Sequence, residues 1–255
     1  MNLPQVGVVM PAYNGERYIG RALRSLLRER EVALHIVVVD DGSTDRTRGI
    51  VRALALEHPE IRLIENEHGG VSKARNTGLA ALPEEVSLVT FLDCDDLNPE
   101  GRIAHQCAVL ASRPEADCVV GRMMVFEEED EERLAPREGS RTVTVRGVSL
   151  TTVLFRRTLF ERLGGLAEDM RYGEDLDFML RVLESGAEVI RDDRVGVYYR
   201  RHIANVTNDS LRSRAGFMDA IRRSLVRRRA GGRVAADLGD LFRARDEIER
   251  IFSNG

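Results

Sequence analysis

The chain has few cysteines, little net charge and no long apolar run. Its 255 residues include no apolar stretch of about 18 residues, so the sequence predicts no membrane-spanning helix. The first residues also lack the basic and apolar regions of a secretory signal. The cysteines Cys94, Cys107 and Cys118 are odd in number and lack the close spacing of a metal site, which indicates reduced thiols in a cytoplasmic protein. A formal net charge of −4 gives no reason to expect a nucleic-acid partner.

Residues 1–100 alternate between apolar strands and amphipathic helices. The predicted strands cover 6–10, 34–39, 61–64 and 86–92, and the predicted helices cover 18–30, 50–56 and 72–81. We expect the first strand to end before Pro11, because proline lacks the N–H that a strand ladder uses. This strand–helix order predicts an α/β fold in which a mostly parallel, Rossmann-like sheet is flanked by helices on both faces.

The second half of the chain has a less regular pattern. Its predicted elements are strands over 118–126, 142–145 and 195–199 and helices over 158–163 and 175–184. The acidic run at 127–132 is expected to be a solvated loop without a functional role. From about Asn205 to the end, the pattern is helical and rich in arginine, which predicts a C-terminal helical appendage.

Acidic side chains follow two of the predicted strands. Asp93, Asp95 and Asp96 follow the fourth strand, and Asp40 and Asp41 end the second. The carboxyl ends of parallel strands lie at one edge of a sheet, so we expect the two clusters to lie close together. Neighbouring carboxylates repel one another unless a cation lies among them, and oxygen ligands suit Mg²⁺ or Mn²⁺. The alternative is an acidic turn that leads into a helix N-terminus.

Three features of the loops that follow the predicted strands have both a binding and a structural interpretation. Asp41 can accept an N–H of a nucleobase, or it can form an Asx turn before the next helix. Tyr13 can stack on a base or cover the core. The pair Gly69-Gly70 precedes a helix with Lys73 and Arg75, which favours a diphosphate, although an ordinary turn with surface cations has the same pattern. This segment is not a phosphate-binding loop of the pattern G-x-x-x-x-G-K-[S/T]. The pattern G-x-G-x-x-G is also missing after the first strand, which argues against a dinucleotide-dependent oxidoreductase.

Two further residues are candidates for the chemistry. Asp175 lies in the first turn of a predicted helix, where it can take a proton from a hydroxyl or simply match the helix dipole. His202 follows the last predicted strand and can be a solvated loop histidine, part of a metal shell or a contact of a diphosphate.

Five short motifs together resemble family 2 glycosyltransferases, which have a GT-A fold. The resemblance covers roughly residues 6–202. The motifs are Val9-Met10-Pro11-Ala12-Tyr13-Asn14, Val38-Val39-Asp40-Asp41-Gly42-Ser43-Thr44-Asp45, Gly70-Val71-Ser72-Lys73-Ala74-Arg75-Asn76, Phe91-Leu92-Asp93-Cys94-Asp95-Asp96, and Gly173-Glu174-Asp175 with Arg181. Each motif is weak alone, but five in order with the expected alternation of strands and helices are a strong signal.

The resemblance implies an inverting, metal-dependent transfer of a sugar from a nucleotide-diphosphate sugar, with a preference for a UDP-sugar. It implies that Pro11, Tyr13 and Asp41 contact the donor nucleotide, together with Lys73 or Arg75 and with Asp93, which is expected near the ribose. Asp95 is implied as a ligand of Mn²⁺ or Mg²⁺, with His202 beside the metal and Asp175 as the general base. The additional Asp96 leaves the register of the metal ligand open by one residue.

The same resemblance implies a division of the chain. Residues 1–204 form the GT-A domain, with 1–100 as the nucleotide-binding half and 101–204 as the acceptor-binding half, and 205–255 form the C-terminal helical region. The helix after Asp175 lacks the QxxRW element of processive synthases, which favours transfer of a single sugar.

Several alternatives stay open at this point. The acidic site also fits a nucleotidyltransferase or a non-catalytic module that binds a sugar nucleotide. The acceptor is expected to be a carbohydrate, a lipid-linked molecule or another hydroxyl compound, and a homo-oligomer is open. The arginines at 222, 223 and 227–229 either rest on the inner membrane face as a peripheral contact or belong to a solvated helix with interspersed acids.

Overall fold

The computed structural model describes residues 3–202, 210–231 and 251. Strands and helices alternate along most of this part of the chain. The strands are β1 (Gln5–Ala12), β2 (Ala33–Asp40), β3 (Ile61–Glu65), β4 (Leu88–Phe91), β5 (Cys118–Phe126), β6 (Glu129–Asp130), β7 (Ala135–Pro136), β8 (Thr142–Val145), β9 (Val153–Arg156) and β10 (Val189–Arg200). The helices are α1 (Ile19–Leu26), α2 (Thr47–Glu57), α3 (Val71–Ala80), α4 (Arg102–Ser112), α5 (Thr158–Leu163), α6 (Glu174–Glu184) and α7 (Ser210–Gly231), with a 3-10 turn at Leu150–Thr152.

Eight of the strands form one mixed sheet. Its order is β10-β5-β9-β4-β1-β2-β3, and β8 pairs with the second half of β5. The ladders among β1, β2, β3 and β4 and between β5 and β10 are parallel. In this sheet, β8 and β9 run antiparallel to their neighbours. The predicted sheet of mostly parallel strands between helices is therefore confirmed.

Helices cover both faces of this sheet. Side chains of successive strand residues point to opposite faces, so Val8 and Met10 lie in one apolar cluster and Val9 in the other. The first cluster includes residues of α1, α2 and α4, and the second includes residues of α3, α5 and α6. Helix α7 packs on α6, outside this second layer.

The first strand continues two residues beyond its predicted end. Pro11 and Ala12 pair with Val39 and Asp40 of β2. The backbone of Val9 faces β4, because its carbonyl accepts a hydrogen bond from the amide of Leu92, and Pro11 faces the same side two residues later. The pairing with β4 has ended there, so the missing N–H of proline leaves no ladder bond unmade.

The acidic run is not wholly a solvated loop. Glu127, Glu128, Glu131 and Glu132 are exposed as expected, but Glu129 begins β6 and its side chain is only 6% exposed. That part of the prediction was wrong, because two arginines distant in sequence compensate the buried charge of Glu129.

Strand β9 has no counterpart among the sequence predictions. Four residues are too few to show a period, although all but Arg156 are buried. The predicted C-terminal helical region is helical over Ser210–Gly231, and residues 203–209, 232–250 and 252–255 lie outside the described part of the chain. Within the described residues, no helix combines the length and the apolar composition needed to cross a bilayer.

Candidate active site

The candidate residues meet at the carboxyl-terminal edge of the parallel strands. Tyr13 follows β1, Asp41 follows β2 and Asp93 lies two residues after β4. The amide of Asp41 donates to the carbonyl of Ala12, and the amide of Leu92 donates to that of Val9, so these exits are tied to one another. The two acidic clusters thus share one sheet edge, as parallel topology requires.

The loop after β2 holds the Asp41 carboxylate in a fixed position. Asp41 is 4% exposed, and its two oxygens accept the amide N–H groups of Gly69 and Gly70, each at 2.8 Å. The His68 ring lies against the same group, with Nδ1 at 3.1 Å from Oδ2 of Asp41. Gly70 has φ +92°, which an L-residue rarely adopts, so a glycine is needed where its amide turns toward the carboxylate.

The side chain of Tyr13 packs against His68. Its ring is half exposed and lies 4.5 Å from the His68 ring, centroid to centroid. Asp40, by contrast, is fully buried and accepts the amide of Ser43 at 3.0 Å, which closes the turn. Of the two neighbouring aspartates, Asp40 is thus the one that supports the turn, and Asp41 faces the Tyr13–His68 pair.

The guanidinium of Arg75 connects carboxylates from both halves of the chain. Its Nη1 lies 2.6 Å from Oδ1 of Asp175 and 3.0 Å from Oε1 of Glu174, and its Nη2 lies 2.9 Å from Oδ1 of Asp93. The Arg75 side chain is 3% exposed. The second oxygen of Asp175 accepts the amide of Leu150 at 3.1 Å, so both its oxygens are positioned by fixed donors.

The charges in this cluster are not balanced. Burial, with the neighbouring carboxylate of Asp175, raises the pKa of Glu174 to about 7, although Arg75 opposes the shift. Burial also raises the pKa of Asp93, with further contributions from Asp95 and Asp175. For Arg75, burial disfavours the charge, but the three carboxylates outweigh it and its pKa is raised. The cluster therefore has more negative charge than one arginine compensates.

Asp95 and Asp96 face different environments. Asp95 is partly exposed, and its Oδ2 lies 2.9 Å from Nε2 of His202. Asp96 is 1% exposed and accepts the backbone amide of Arg200 at 2.9 Å, while its other oxygen is buried and receives no hydrogen bond from the described residues. Burial, with Asp95 and Asp93, raises the pKa of Asp96 well above its usual range. Asp95 and His202 thus form the accessible pair, and Asp96 points into the protein.

A second arginine that sequence reasoning did not identify supports this pair. Arg200, at the end of β10, donates from Nε to the carbonyl of Asp95 at 2.8 Å and forms an ion pair with Glu129 at 2.8 Å. Its guanidinium lies 4.8 Å from the Tyr18 ring centre, and the same ring stacks on His202 at 4.9 Å. Three residues from distant segments, Tyr18, Glu129 and Arg200, therefore hold the Asp95–His202 pair.

The residues present suit a divalent cation in their chemistry. Among the described residues, no three His, Cys, Asp or Glu side chains converge closely enough to form a complete metal site. Asp95 and His202 nevertheless supply an oxygen and a nitrogen donor side by side, and the excess negative charge of the neighbouring carboxylates favours a cation. Burial and the nearby Asp95 raise the pKa of the Cys94 thiol, so no thiolate competes as a ligand.

Comparison with known proteins identifies the family. The sequence pattern of glycosyl transferase family 2 matches residues 7–229. The chain belongs to this family. Its relatives include EpsJ of Bacillus subtilis, an uncharacterized glycosyltransferase that is 30% identical over 80% of this chain and 62% of its own length. An uncharacterized glycosyltransferase of Rickettsia typhi is 27% identical over 82% of this chain and 67% of its own length.

Solved structures of other proteins share the fold. S. aureus TarS, in complex with UDP-GlcNAc, superposes with a TM-score of 0.71 at 21% identity and covers 87% of this family 2 chain. A mannosyltransferase of Pyrobaculum calidifontis, in complex with GDP-Man and Mn²⁺, has a TM-score of 0.65 at 25% identity and the same coverage. The matched region spans 66% and 65% of those two chains, so this chain corresponds to about two thirds of each. The predicted GT-A fold is confirmed.

The structure places the predicted residues of this family 2 chain in three groups. Tyr13 and Asp41 form the first group around His68, and Pro11 precedes the last residue of β1. Arg75, Asp93 and Asp175 form the central cluster, and Asp95 and His202 form the third group. Lys73 is exposed, its side chain folds over Gly69, and its ammonium makes no ion pair among the described residues. The guanidinium of Arg75 is occupied by three carboxylates, whereas the ammonium of Lys73 is open to a ligand.

Proposed function

We propose that the protein is an inverting glycosyltransferase that moves a single sugar from a nucleotide-diphosphate sugar, with UDP-sugars preferred, to an acceptor hydroxyl. One observation supports this above the others. The guanidinium of Arg75 touches Asp93, which follows a strand of the donor half, and Asp175, which begins a helix of the acceptor half. A donor whose ribose is held at Asp93 and a hydroxyl beside Asp175 would therefore be brought close together.

The donor nucleotide is assigned to the pocket between Tyr13 and Asp41. The half-exposed Tyr13 ring offers a face on which a base can stack, and the fixed Asp41 carboxylate can accept a base N–H through its remaining lone pairs. Pro11, next to the last residue of β1, is assigned to the same nucleotide contact, and Asp93 is assigned to the ribose. The exposed ammonium of Lys73, next to the Gly69-Gly70 turn, supplies positive charge on the nucleotide side, whereas Arg75 orients Asp93 through its ion pair.

Asp95 and His202 are assigned as the residues that hold Mn²⁺ or Mg²⁺. Their contact at 2.9 Å and their partial exposure support Asp95, rather than the inward-facing Asp96, as the ligand. When bound, the cation supplies stabilisation of the charge that develops on the departing diphosphate. Arg200 and Tyr18 keep the pair in place from the protein side.

Asp175 is assigned as the general base. One of its oxygens is held by Arg75 and the other by the Leu150 amide, and its side chain is 20% exposed, so a lone pair stays accessible to an acceptor hydroxyl. The hydroxyl attacks the anomeric carbon from the face opposite the diphosphate while Asp175 takes its proton. The transition state resembles an oxocarbenium ion, as in glycoside hydrolysis.

The two halves of residues 1–204 divide the work in this proposal. Residues 1–100 bind the donor, 101–204 supply the base and the acceptor contacts, and the C-terminal region 205–255 contributes α7 (Ser210–Gly231). The acceptor is a carbohydrate, a lipid-linked molecule or another hydroxyl compound, and the protein is placed in the cytoplasm with a peripheral contact at the inner membrane face. The support for that contact is the outer side of α7, where Leu211, Met218 and Leu225 are exposed at seven-residue spacing.

A donor screen with product analysis tests the function. UDP-, GDP- and dTDP-sugars are added with Mn²⁺ or Mg²⁺ while the unfolding temperature is measured, because a bound ligand stabilises the folded state. The selected donor is then incubated with hydroxyl acceptors, and release of a nucleoside diphosphate with an inverted glycoside is expected. Pyrophosphate release would identify a nucleotidyltransferase instead. Donor binding without transfer to any acceptor would identify a binding module.

A further inference from the structure

Helix α7 contacts the segment that carries the proposed base. Gly173 immediately precedes Glu174 and Asp175, and the backbone of Gly216 of α7 lies directly against it. A Cβ at Gly173 would lie 2.6 Å from the carbonyl oxygen of Gly216, and a Cβ at Gly216 would overlap the carbonyl of Tyr172. Only two glycines allow the two backbones to approach this closely.

Charged and apolar contacts fix α7 on both sides of this crossing. Before the base segment, Arg223 of α7 forms an ion pair with Asp169 at 2.8 Å. After it, Arg227 contacts the buried Asp177 at 2.8 Å and Glu184 at 2.7 Å. The apolar contact comes from Ala220, which is fully buried between Met170, Leu176 and Leu180.

The position of the Asp175 carboxylate depends on the backbone of Gly173, which α7 contacts. Gly173 has φ +80° at the N-terminus of α6, and the carboxylate two residues later must reach both Arg75 and the Leu150 amide. The backbone of α7 at Gly216 packs against Gly173 in this turn. A displacement of about 1 Å at a catalytic group can lower a rate by on the order of 10²-fold, so the position of α7 bears directly on proton transfer.

We propose that α7 is a positioning element for the reaction and that Gly216 is its positioning residue, which holds the Gly173–Asp175 segment through backbone contact. This inference rests on the proposed role of Asp175. It gives the arginine-rich helix an intramolecular role, because Arg223 and Arg227 bind acids on either side of the base. Donor contacts lie on other elements, so α7 acts on turnover and not on donor binding.

The test compares two helical glycines. Gly216→Ala adds a methyl group where the Tyr172 backbone leaves no room, and Gly49→Ala adds one on α2, where no atom of the described residues lies within 4 Å. For Gly216→Ala we expect kcat to fall about tenfold or more, with the donor Kd within about twofold of wild type and an unchanged circular dichroism spectrum. For Gly49→Ala we expect wild-type kcat and donor Kd.

A double mutant tests whether Gly216 acts through the base. In an Asp175→Asn background, Gly216→Ala is expected to leave the residual turnover unchanged, because residues that act as a unit are not additive. A further multiplicative loss there would overturn the inference, as would wild-type kcat in the single variant. If Gly216→Ala does not fold, the same kinetic measurement is made on Arg227→Gln, which removes the contact of α7 with Asp177. An unchanged kcat in that variant also overturns the inference. Wild-type turnover of Asp175→Asn alone would instead reject the proposed base.

Discussion

Arg75 and Asp175 form an ion pair of 2.6 Å although 100 residues separate them. The same guanidinium binds Asp93, so the orientation of the proposed base and that of a donor-side carboxylate depend on one buried group. This arrangement adds little net stability to the fold, because desolvation of buried charges offsets much of their attraction.

Removal of the Arg75 charge is expected to destabilise the protein strongly. Arg75→Met leaves Asp93, Glu174 and Asp175 without their shared cation, and loss of one partner from a buried ion pair typically costs about 3–5 kcal/mol. Urea unfolding measures this change. The control is Arg30→Met at an exposed position, which should leave the free energy of unfolding nearly unchanged. Equal stability of the two variants would contradict the structural role of Arg75.

Asp175→Asn is expected to abolish transfer without affecting the donor site. The amide keeps the shape of the side chain but cannot accept the proton of the acceptor, so kcat should fall on the order of 10²-fold or more. Donor binding is followed by the shift in unfolding temperature, and it should match wild type. A variant that turns over at the wild-type rate would exclude Asp175 as the base.

Asp95 and Asp96 should respond differently to the same substitution. Asp95→Asn removes a charge next to His202. We expect it to weaken the apparent affinity for the donor in the presence of the metal about tenfold or more. Asp96→Asn replaces a buried carboxyl whose pKa is raised well above its usual range, so it should leave the same titration nearly unchanged. Donor titrations with Mn²⁺ and with EDTA measure both. Loss of the metal effect in the Asp96 variant alone would reverse the assignment.

Glu174 should make the stability of the metal-free protein depend on pH. Its pKa is raised to about 7 in the folded state, above that of an exposed glutamate, so folding binds a proton between the two values. Its contribution is therefore full at low pH and is lost as the pH rises through about 7. The expected slope is at most about 1.4 kcal/mol per pH unit. The free energy of unfolding, measured in EDTA from about pH 5 to 8, should show this slope in wild type and not in Glu174→Gln. Parallel pH dependences of the two proteins would contradict the role of Glu174.

The outer side of α7 is expected to bind anionic vesicles at low salt. Leu211, Met218 and Leu225 are exposed there, and the exposed Arg229, one helical turn after Leu225, adds positive charge on the same side. Co-sedimentation with phosphatidylglycerol vesicles should fall as salt rises, and Leu211→Ser with Met218→Ser should reduce it several-fold. Absence of pelleting at low salt would end the membrane proposal, and a dimer lost in the same variant would show that a second copy covers this face.

Much of the fold could be predicted because local periodicity determines it. Strands β5 and β8 and helix α5 have the predicted bounds, and buried β-branched runs located β1 and β2 to within two residues at either end. Parallel topology then placed Asp41 and Asp93 at one edge. Strand β9 was missed because its four residues gain their conformation from β4 and β5 on both sides.

The contacts inside the site could not be predicted in the same way. Arg75 was expected near the nucleotide, and nothing local shows that its partners come from Glu174 and Asp175. Glu129 looked like one member of a solvated acidic run, and its burial depends on Arg21 and Arg200. Such pairs depend on how distant elements pack. A sequence pattern can therefore identify candidate functional residues but not the distant residues that contact them.

Strand β9 has a consequence for how the chain reaches its native state. It lies between β4 and β5 and follows both of these strands in sequence, so in the described sheet β9 joins the ladders of β1 to β4 to the ladder of β5 and β10. During synthesis, the edge of β4 that faces β9 therefore stays unpaired at least until Arg156 has been added to the chain. Pairings between distant segments form slowly, and an unpaired edge invites contact with other chains. We therefore expect the ion pairs that join Arg75 to Glu174 and Asp175 to form after the ladders among β1, β2, β3 and β4.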